Sequence, residues 1–290
     1  MCDFGSIGLL YTMDHLKKNG IHYFGAGRNL KEALQPTELV VKNQRFRFYG
    51  AMQTFFLKHH FATKKSAGVA PWEPGYFKPS GEGVTNVLFL HWNQEFEDYP
   101  EPASKYFAEL ATAHFQLVIG SHSHCVQGIQ TYQKGKIVYS LGNFILPHAP
   151  YYNTFLKPYP EKSYEGLVFH WSPNGDMADT VMTTLIEANG AAIKAIQETK
   201  VDANSALCKL SEPLQWSYAQ YLDFYRMNRA DKTRPVMSRH KWVNSLRLKL
   251  YIRLTVLFHK VELWGANVLQ RFGLRVLIRR FLSIFIKRYQ

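Results

Sequence analysis

Cysteine is scarce in this 290-residue chain: Cys2, Cys125 and Cys208 are the whole complement. Three thiols with no Cys-x-x-Cys pair exclude a disulfide framework, and each reads as a small buried hydrophobe. Long apolar runs are missing as well. Residues 1–10, MCDFGSIGLL, have neither the basic n-region nor the apolar stretch of a secretory signal. Residues 239–290 contain no uncharged run of 18, so a transmembrane helix is not indicated. There is no internal repeat. With 46% hydrophobic and 20% charged residues, collagen-like, low-complexity and intrinsically disordered descriptions of the whole chain are excluded. The length accommodates one large domain or two small ones.

Acidic residues are missing from one place. Of 35 Lys+Arg and 22 Asp+Glu, residues 239–290 hold 12 bases and one acid, Glu262. The tail is therefore +11, and the remaining 23 bases and 21 acids leave residues 1–238 at +2. The sequence divides into a nearly neutral body, 1–238, and a basic tail, 239–290. A global reading of the net charge as a nucleic-acid-binding signal fails on this asymmetry.

Along the body, Ser6 is expected to cap a helix with Ile7, Leu10 and Leu16 on its apolar stripe, closed by Gly20. Ile21–Phe24 reads as a short strand, and Leu30–Ala33 as a short helix. Val40–Val41 and Arg45–Tyr49 read as a hairpin turning at Asn43-Gln44. Residues 63–83, with seven glycines or prolines from Gly68 to Gly83, read as a long surface loop. Val87–Leu90, Leu117–Ile119 and Ile137–Leu141 are short apolar runs that read as buried strands. Between the first two lies a helical pattern, Ala103–His114, spaced by Phe107, Leu110 and Ala111. Residues 147–165 read as an irregular loop and Gly166–Trp171 as a strand. Ile186–Thr199 fits strand or helix, and Leu214–Tyr225 a helix. Strand, helix, strand at this spacing predicts an α/β fold with ligand groups at strand ends.

Two of the buried strands run into histidine. Val87–Leu90 leads to His91-Trp92-Asn93-Gln94-Glu95, and Leu117–Ile119 to Gly120-Ser121-His122-Ser123-His124. A rigid strand with a tight turn after it aims such side chains into one crevice. Neutral imidazole suits zinc, manganese, iron and nickel. His91, His122 and His124 are thus candidate metal ligands. Three histidines do not complete a two-metal site, which needs carboxylate or further ligands.

These motifs resemble the CapA family of capsule and poly-γ-glutamate synthesis proteins, whose fold resembles the calcineurin-like metallophosphoesterases. The matching segments are Asp3–Gly8, Gly20–Ala33, Leu90–Glu95, Leu117–Gln127, Tyr132, and Gly135–Phe144, which includes Ser140-Leu141-Gly142-Asn143-Phe144. The resemblance implies a layered α/β sandwich of the metallophosphoesterase kind and two divalent transition-metal ions (manganese, iron or zinc), with His122 and His124 serving different ions. It makes Glu95 and Asn143 candidate catalytic residues. Glu95 would stand behind the ligands or face substrate, against the plain alternative of a solvated loop carboxylate. Asn143 would orient a loop through its amide, or simply make a turn. Asn93 stands where the family has glycine, and Asn tolerates left-handed backbone. Ser121 stands where metallophosphoesterases often have histidine, and Asp3 would pin its loop. In the family a strand ending in Gly-Asp, later Asn and Glu residues, and an Asn-His pair come before the position of Asp3. The expectation is therefore a sandwich lacking its first strands, in which metal is weakly held or absent and hydrolysis is in doubt.

In the tail, Lys249, Arg253, Lys260, Asn267, Arg271 and Arg275 recur at helical intervals beside a broad apolar surface with Trp242, Trp264 and Phe281. A basic amphipathic helical tail suits an anionic membrane surface; packing on the body or oligomerisation is the alternative, and nucleic acid is set aside. Leu246–Val256, apolar at even positions, also fits a strand. The leading expectation is a CapA-like protein of capsule or polyanionic polymer biosynthesis with hydrolase-like chemistry. The alternative is a non-catalytic, membrane-associated subunit of a polymer synthase or export system. Either would be a peripheral membrane protein, on the cytoplasmic face for want of a signal peptide.

Overall fold

The computed structural model describes residues 4–53, 60–73, 75–77, 79, 81, 83–144, 160–173, 181–189, 192–202 and 205–230. The tail from 239 on, Asp3, and the strand reading of Leu246–Val256 lie outside them. Met1–Tyr225 form one compact unit and Arg226–Gln290 a second, so the division falls before the 238/239 boundary set by charge.

Helix α1 spans Gly5–Lys18. Ser6 lies inside it, and the N-cap position is Phe4, which makes no side-chain cap. The Ser6 hydroxyl instead donates to Ala67 O at 3.2 Å. Leu9 and Met13, four residues apart, form the buried stripe, while Ile7 is exposed. The stripe is one residue round from the expected one because α1 packs on Ala26, Phe61 and Val69. Gly20 ends the helix as expected: its φ is +68°, and Ile21 N donates to Leu16 O at 2.9 Å. Ile21–Phe24 forms no strand. Extended pairing starts at β1, Ala26–Gly27, against β4, Gly68–Val69.

Helix α2, Leu30–Ala33, is where the sequence put it, with the Asn29 side chain accepting from Glu32 N. Strands β2, Thr37–Val41, and β3, Gln44–Gln53, form the expected hairpin, with Val41 paired to Gln44. The turn is Lys42-Asn43, both at positive φ, one residue earlier than anticipated. Two left-handed residues match the twist of an antiparallel pair, and Asn accepts that conformation readily. Residues 63–83 are not a surface loop. They contain β4 and β5, Pro71–Trp72, and bury Ala70, Trp72 and Phe77. Phe77 meets the ring of Tyr49 edge-on at 6.0 Å. The glycines and prolines there break long strands without preventing burial.

The main sheet is seven-stranded. Its order is β2-β3-β6-β7-β9-β8, with β5 beside β3. Here β6 is Val84–His91, β7 Leu117–Ser121, β8 Ile129–Tyr132 and β9 Gly135–Val138. β3, β6, β7 and β9 are parallel, and β2 and β8 close the edges antiparallel. Helix α3, Pro102–Ala111, connects β6 to β7, the crossover that parallel neighbours require. Its buried face is Ser104, Lys105, Ala108 and Ala111, and Leu110 is exposed. Both faces of the central strands are covered. Val87, Leu117, Ile119 and Val138 face a cluster with Val126, Ile129, Leu167 and Leu207. Leu88, Leu90, Val118 and Ile137, one residue out of phase, are buried on the other side. This explains why these strands read as unbroken apolar runs. Each such side chain contributes about 1.5–3 kcal/mol of transfer free energy.

A second, antiparallel sheet holds β10 (Glu165–Val168), β11 (Val181–Asn189) and β12 (Ala192–Lys200). The described residues of the ambiguous stretch Ile186–Thr199 are thus strand, with register shifts after Leu185 and Glu187. β10 is the expected strand near Gly166–Trp171. Helix α4, Ala206–Ser211, follows, and then α5, Tyr218–Asn228. The helical stretch expected at Leu214–Tyr225 is broken after a short turn at Pro213–Gln215 and restarts where Ser217 Oγ accepts from Gln220 N. The body is therefore the α/β fold that the sequence implied. Among the described residues, no helix is long and apolar enough to cross a membrane.

Candidate metal centre

β6 and β7 are parallel and end in register, His91 opposite Ser121. Their carboxyl ends thus deliver His91 and the His122–His124 turn to one place, the usual location of a ligand crevice in an open α/β sheet. The spacing between the two strand ends is set by three residues. Trp92 Nε1 donates to Tyr139 O at 2.9 Å, and its ring stacks on that of Tyr139, centroids 5.8 Å apart. The indole occupies the space where Gly120 would carry a side chain: a Cβ there would lie 1.9 Å from Tyr139 O and 2.2 Å from Trp92 Nε1. Glycine at 120 is required by this close approach, and its own φ is ordinary.

Beyond the strands the backbone turns sharply. His122, His124, Asn93 and Phe96 have φ of +96°, +56°, +67° and +59°. Such conformations are costly for residues with a Cβ and persist where surrounding contacts fix them. Here Phe96 N donates to Ser123 O at 2.7 Å, and Trp92 N to Ser121 O at 3.2 Å, so the two turns are stitched together. The result brings Glu95 to the histidines. One ligand atom each from Glu95, His122 and His124 lie within 4.8 Å of one another. Ligands of one tetrahedral ion, each about 2.0–2.2 Å from it, lie about 3.3–3.6 Å apart, so these donors would draw together to hold an ion. His91 stands beside this trio, its ring 4.4 Å from that of His122. The carboxylate that sequence reasoning placed behind the ligands or toward substrate thus lies within reach of the same ion as two histidines.

Asn143 has a defined place too. Its Nδ2 donates to His124 O at 3.2 Å and to Ser163 O at 2.9 Å. These bonds fix the amide so that Oδ1 faces the His124 ring, 2.9 Å from Nδ1. An amide oxygen only accepts, so Nδ1 carries the proton and Nε2 keeps its lone pair. This is the arrangement in which a histidine ligates through Nε2 while a partner holds the other nitrogen. Asn143 is therefore a positioning residue for His124. Phe96 flanks the same ring, centroids 5.9 Å apart.

Burial first, then the neighbouring His122 and His124, push the His91 imidazole down to about 4. His91 keeps an exposed edge, and solvent screening there moderates the shift; its direction still leaves the ring neutral at pH 7, the form that binds metal. A carboxylate and neutral imidazoles form a donor set suited to manganese, iron or zinc. The residues present fit a divalent transition-metal ion.

The sequence reading makes His91, His122 and His124 the ligands and sets Glu95 behind them or toward substrate, whereas the close trio is Glu95, His122 and His124; the supports of this set have no place in that reading. Gln53 Oε1 accepts from Asn93 N at 2.9 Å, and Ser163, 20 residues beyond Asn143, offers the carbonyl that orients it. Neither has a local sequence signal, because each acts through a contact between distant segments. Ser121 turns its hydroxyl back to Leu90 O at 3.3 Å.

The model of the family described as bacterial capsule synthesis protein PGA_cap matches residues 1–148. Among curated proteins, the chain is 28% identical over 155 residues to the capsule biosynthesis protein CapA of Bacillus anthracis, covering 50% of this chain and 38% of that protein. It is 27% identical over 149 residues to the PGA biosynthesis protein CapA of Bacillus subtilis, covering 49% and 39%. The chain thus aligns with less than half the length of these relatives. The family match takes in His91, Glu95, His122, His124 and Asn143, and half of all residues; the chain belongs to the PGA_cap family of bacterial capsule synthesis proteins.

Proposed function

We propose that the body serves the biosynthesis of a capsule or other polyanionic polymer and that its site performs metal-assisted hydrolysis or transfer at a phosphate or acyl centre. The observation that carries this reading is the convergence of Glu95, His122 and His124, with the His124 tautomer set by Asn143. The names of the relatives support the biological setting.

Glu95, His122 and His124 would hold the ion. Bound there, a divalent ion supplies Lewis acidity and lowers the pKa of water. The chain's own groups do the rest. Glu95, exposed at the crevice, brings the negative charge that offsets the ion. Asn143 keeps the His124 Nδ1 proton in place, and Phe96 covers one side of that ring. His91, neutral beside His122, lies where it would meet a second ion or the substrate. Manganese, iron and zinc are all compatible with this set.

The test is metal content of the purified full chain, together with phosphoesterase activity on added manganese. The expected result is stoichiometric metal lost in His122→Ala and His124→Ala, with activity following metal. Unchanged metal content in those variants would overturn the reading.

A second reading rests on a different observation: 12 bases and one acid in residues 239–290. It makes the chain a peripheral, membrane-associated subunit of a polymer synthase or export system, held on an anionic cytoplasmic surface by the tail. Flotation with phosphatidylglycerol vesicles, with and without residues 239–290, tests it. Equal flotation of both forms removes the support that the tail gives.

A further inference from the structure

Asn93 is the one position of the His91–Glu95 motif where this chain departs from the glycine of the family pattern. Its φ of +67° is the reason a glycine would serve. What the asparagine adds is a buried hub. The residue is 1% exposed. Its backbone N–H donates to Gln53 Oε1 at 2.9 Å, from the end of β3. Its Oδ1 accepts from Glu101 N at 3.1 Å, at the start of α3. Its Nδ2 donates to Gln127 Oε1 at 3.4 Å, in the segment after the histidine turn. Gln127 in turn donates from Nε2 to Glu97 O at 2.9 Å, and Cys125 Sγ reaches the same carbonyl at 3.0 Å. Gln94 Nε2 donates to Glu101 Oε1 at 3.2 Å.

These bonds have one geometric consequence. The turn that carries Glu95, residues 92–97, is held from three sides: by the sheet through Gln53, by α3 through Glu101, and by the His122–Gln127 segment through Gln127. Glu95 itself is exposed and gets its position from this frame. Two of these ties, to Glu101 N and to Gln127 Oε1, run through the Asn93 side chain; a glycine would lose both and keep the backbone bond to Gln53, the Gln94–Glu101 bond and the bonds at Phe96 N and Glu97 O.

We propose that Asn93 is a positioning residue that fixes Glu95 against His122 and His124, so that its side chain, and not only its left-handed backbone, sets the affinity of the centre. The proposal rests on the metal-centre reading above. The alternative is that Asn93 serves the turn alone. The two differ in sign at one substitution. Glycine accepts φ of +67° without strain, so a residue needed only for the turn is replaced by glycine with no loss. A residue needed for its side chain is not.

The experiment is a titration of the metal-free full chain with manganese, by calorimetry, in wild type, Asn93→Gly and Asn93→Ala. A third variant, Leu9→Ala, opens a hole in the α1 cluster, which includes no residue of the turn, and serves as the stability control. Apparent affinity should fall about 10–100-fold in Asn93→Gly, the range for residues that orient ligands, and at least as far in Asn93→Ala. Leu9→Ala should lower the melting temperature and leave affinity unchanged. Wild-type affinity retained in Asn93→Gly would overturn the proposal. So would an affinity loss in Leu9→Ala matching that of Asn93→Gly at equal melting temperature, because the effect would then be general destabilisation. Failure of the wild type to bind manganese would overturn the metal-centre reading and this proposal with it, an outcome distinct from the other two.

Discussion

Asn143→Ala removes three contacts at once: the acceptor for His124 Nδ1–H at 2.9 Å and the donors to His124 O at 3.2 Å and Ser163 O at 2.9 Å. The two carbonyls are partly buried, and a net hydrogen bond is worth about 0.5–1.5 kcal/mol, so the stability loss should be about 2–3 kcal/mol. Metal affinity should fall by about 10–100-fold, since the ring is freed to rotate and to change tautomer. In free energy that is about 1.4–2.7 kcal/mol. Asn143→Asp separates the two effects. A carboxylate still accepts from Nδ1–H and raises the basicity of Nε2, so affinity should be kept. It cannot donate to either carbonyl, so stability should fall at least as far as in the alanine variant. Denaturant unfolding of the metal-free chain gives the first quantity and manganese titration the second. Nitrogen-15 spectra of the histidine rings test the premise directly: metal-free His124 should carry its proton on Nδ1. A proton found on Nε2, or an Asn143→Ala affinity within about threefold of wild type, would refute the reasoning.

Three further outcomes follow from the same structure. Gly120→Ala should yield little folded protein, or lose more than about 3 kcal/mol on denaturant unfolding, because the new methyl meets the Tyr139 carbonyl and the Trp92 indole together. Lys105, 1% exposed and paired with Glu109, should cost about 3–5 kcal/mol when changed to Ala, since the Glu109 carboxylate keeps only Gln130 among the bonds described. That loss would appear in the same unfolding experiment. Burial pushes the Cys125 thiol up to about 11. Mass spectrometry after alkylation at pH 8 should therefore find Cys125 unlabelled in native protein and labelled in denaturant, with Cys208, which is half-exposed, labelled in both.

Legibility in the sequence followed the range of the interactions involved. α2 and the three central strands were readable because apolar runs and a local cap specify them. The Gly20 stop was readable for the same reason. Where packing chose between neighbours, the reading slipped: Leu9 and Met13 face the core in place of Ile7, and Trp72 and Phe77 pull a Gly/Pro-rich stretch inside. The hairpin turn moved by one residue because pairing Val41 with Gln44 leaves Lys42 and Asn43 between them.

The sequence by itself determined the donors. Two apolar strands ending in histidine, with a glutamate four residues beyond the first, name the chemistry before any coordinates exist. It also determined the charge division between body and tail, which is a matter of counting. Only the tertiary structure decided how the donors are used. That Glu95 comes close to His122 and His124, that Asn143 holds the Nδ1 side of His124, and that Gln53 and Gln127 bond to Asn93 all depend on contacts between residues 19 to 40 apart. Hydrogen bonds of that kind leave no period in a sequence, because what fixes them is the packing of β6 against β7 and the close approach that Gly120 allows.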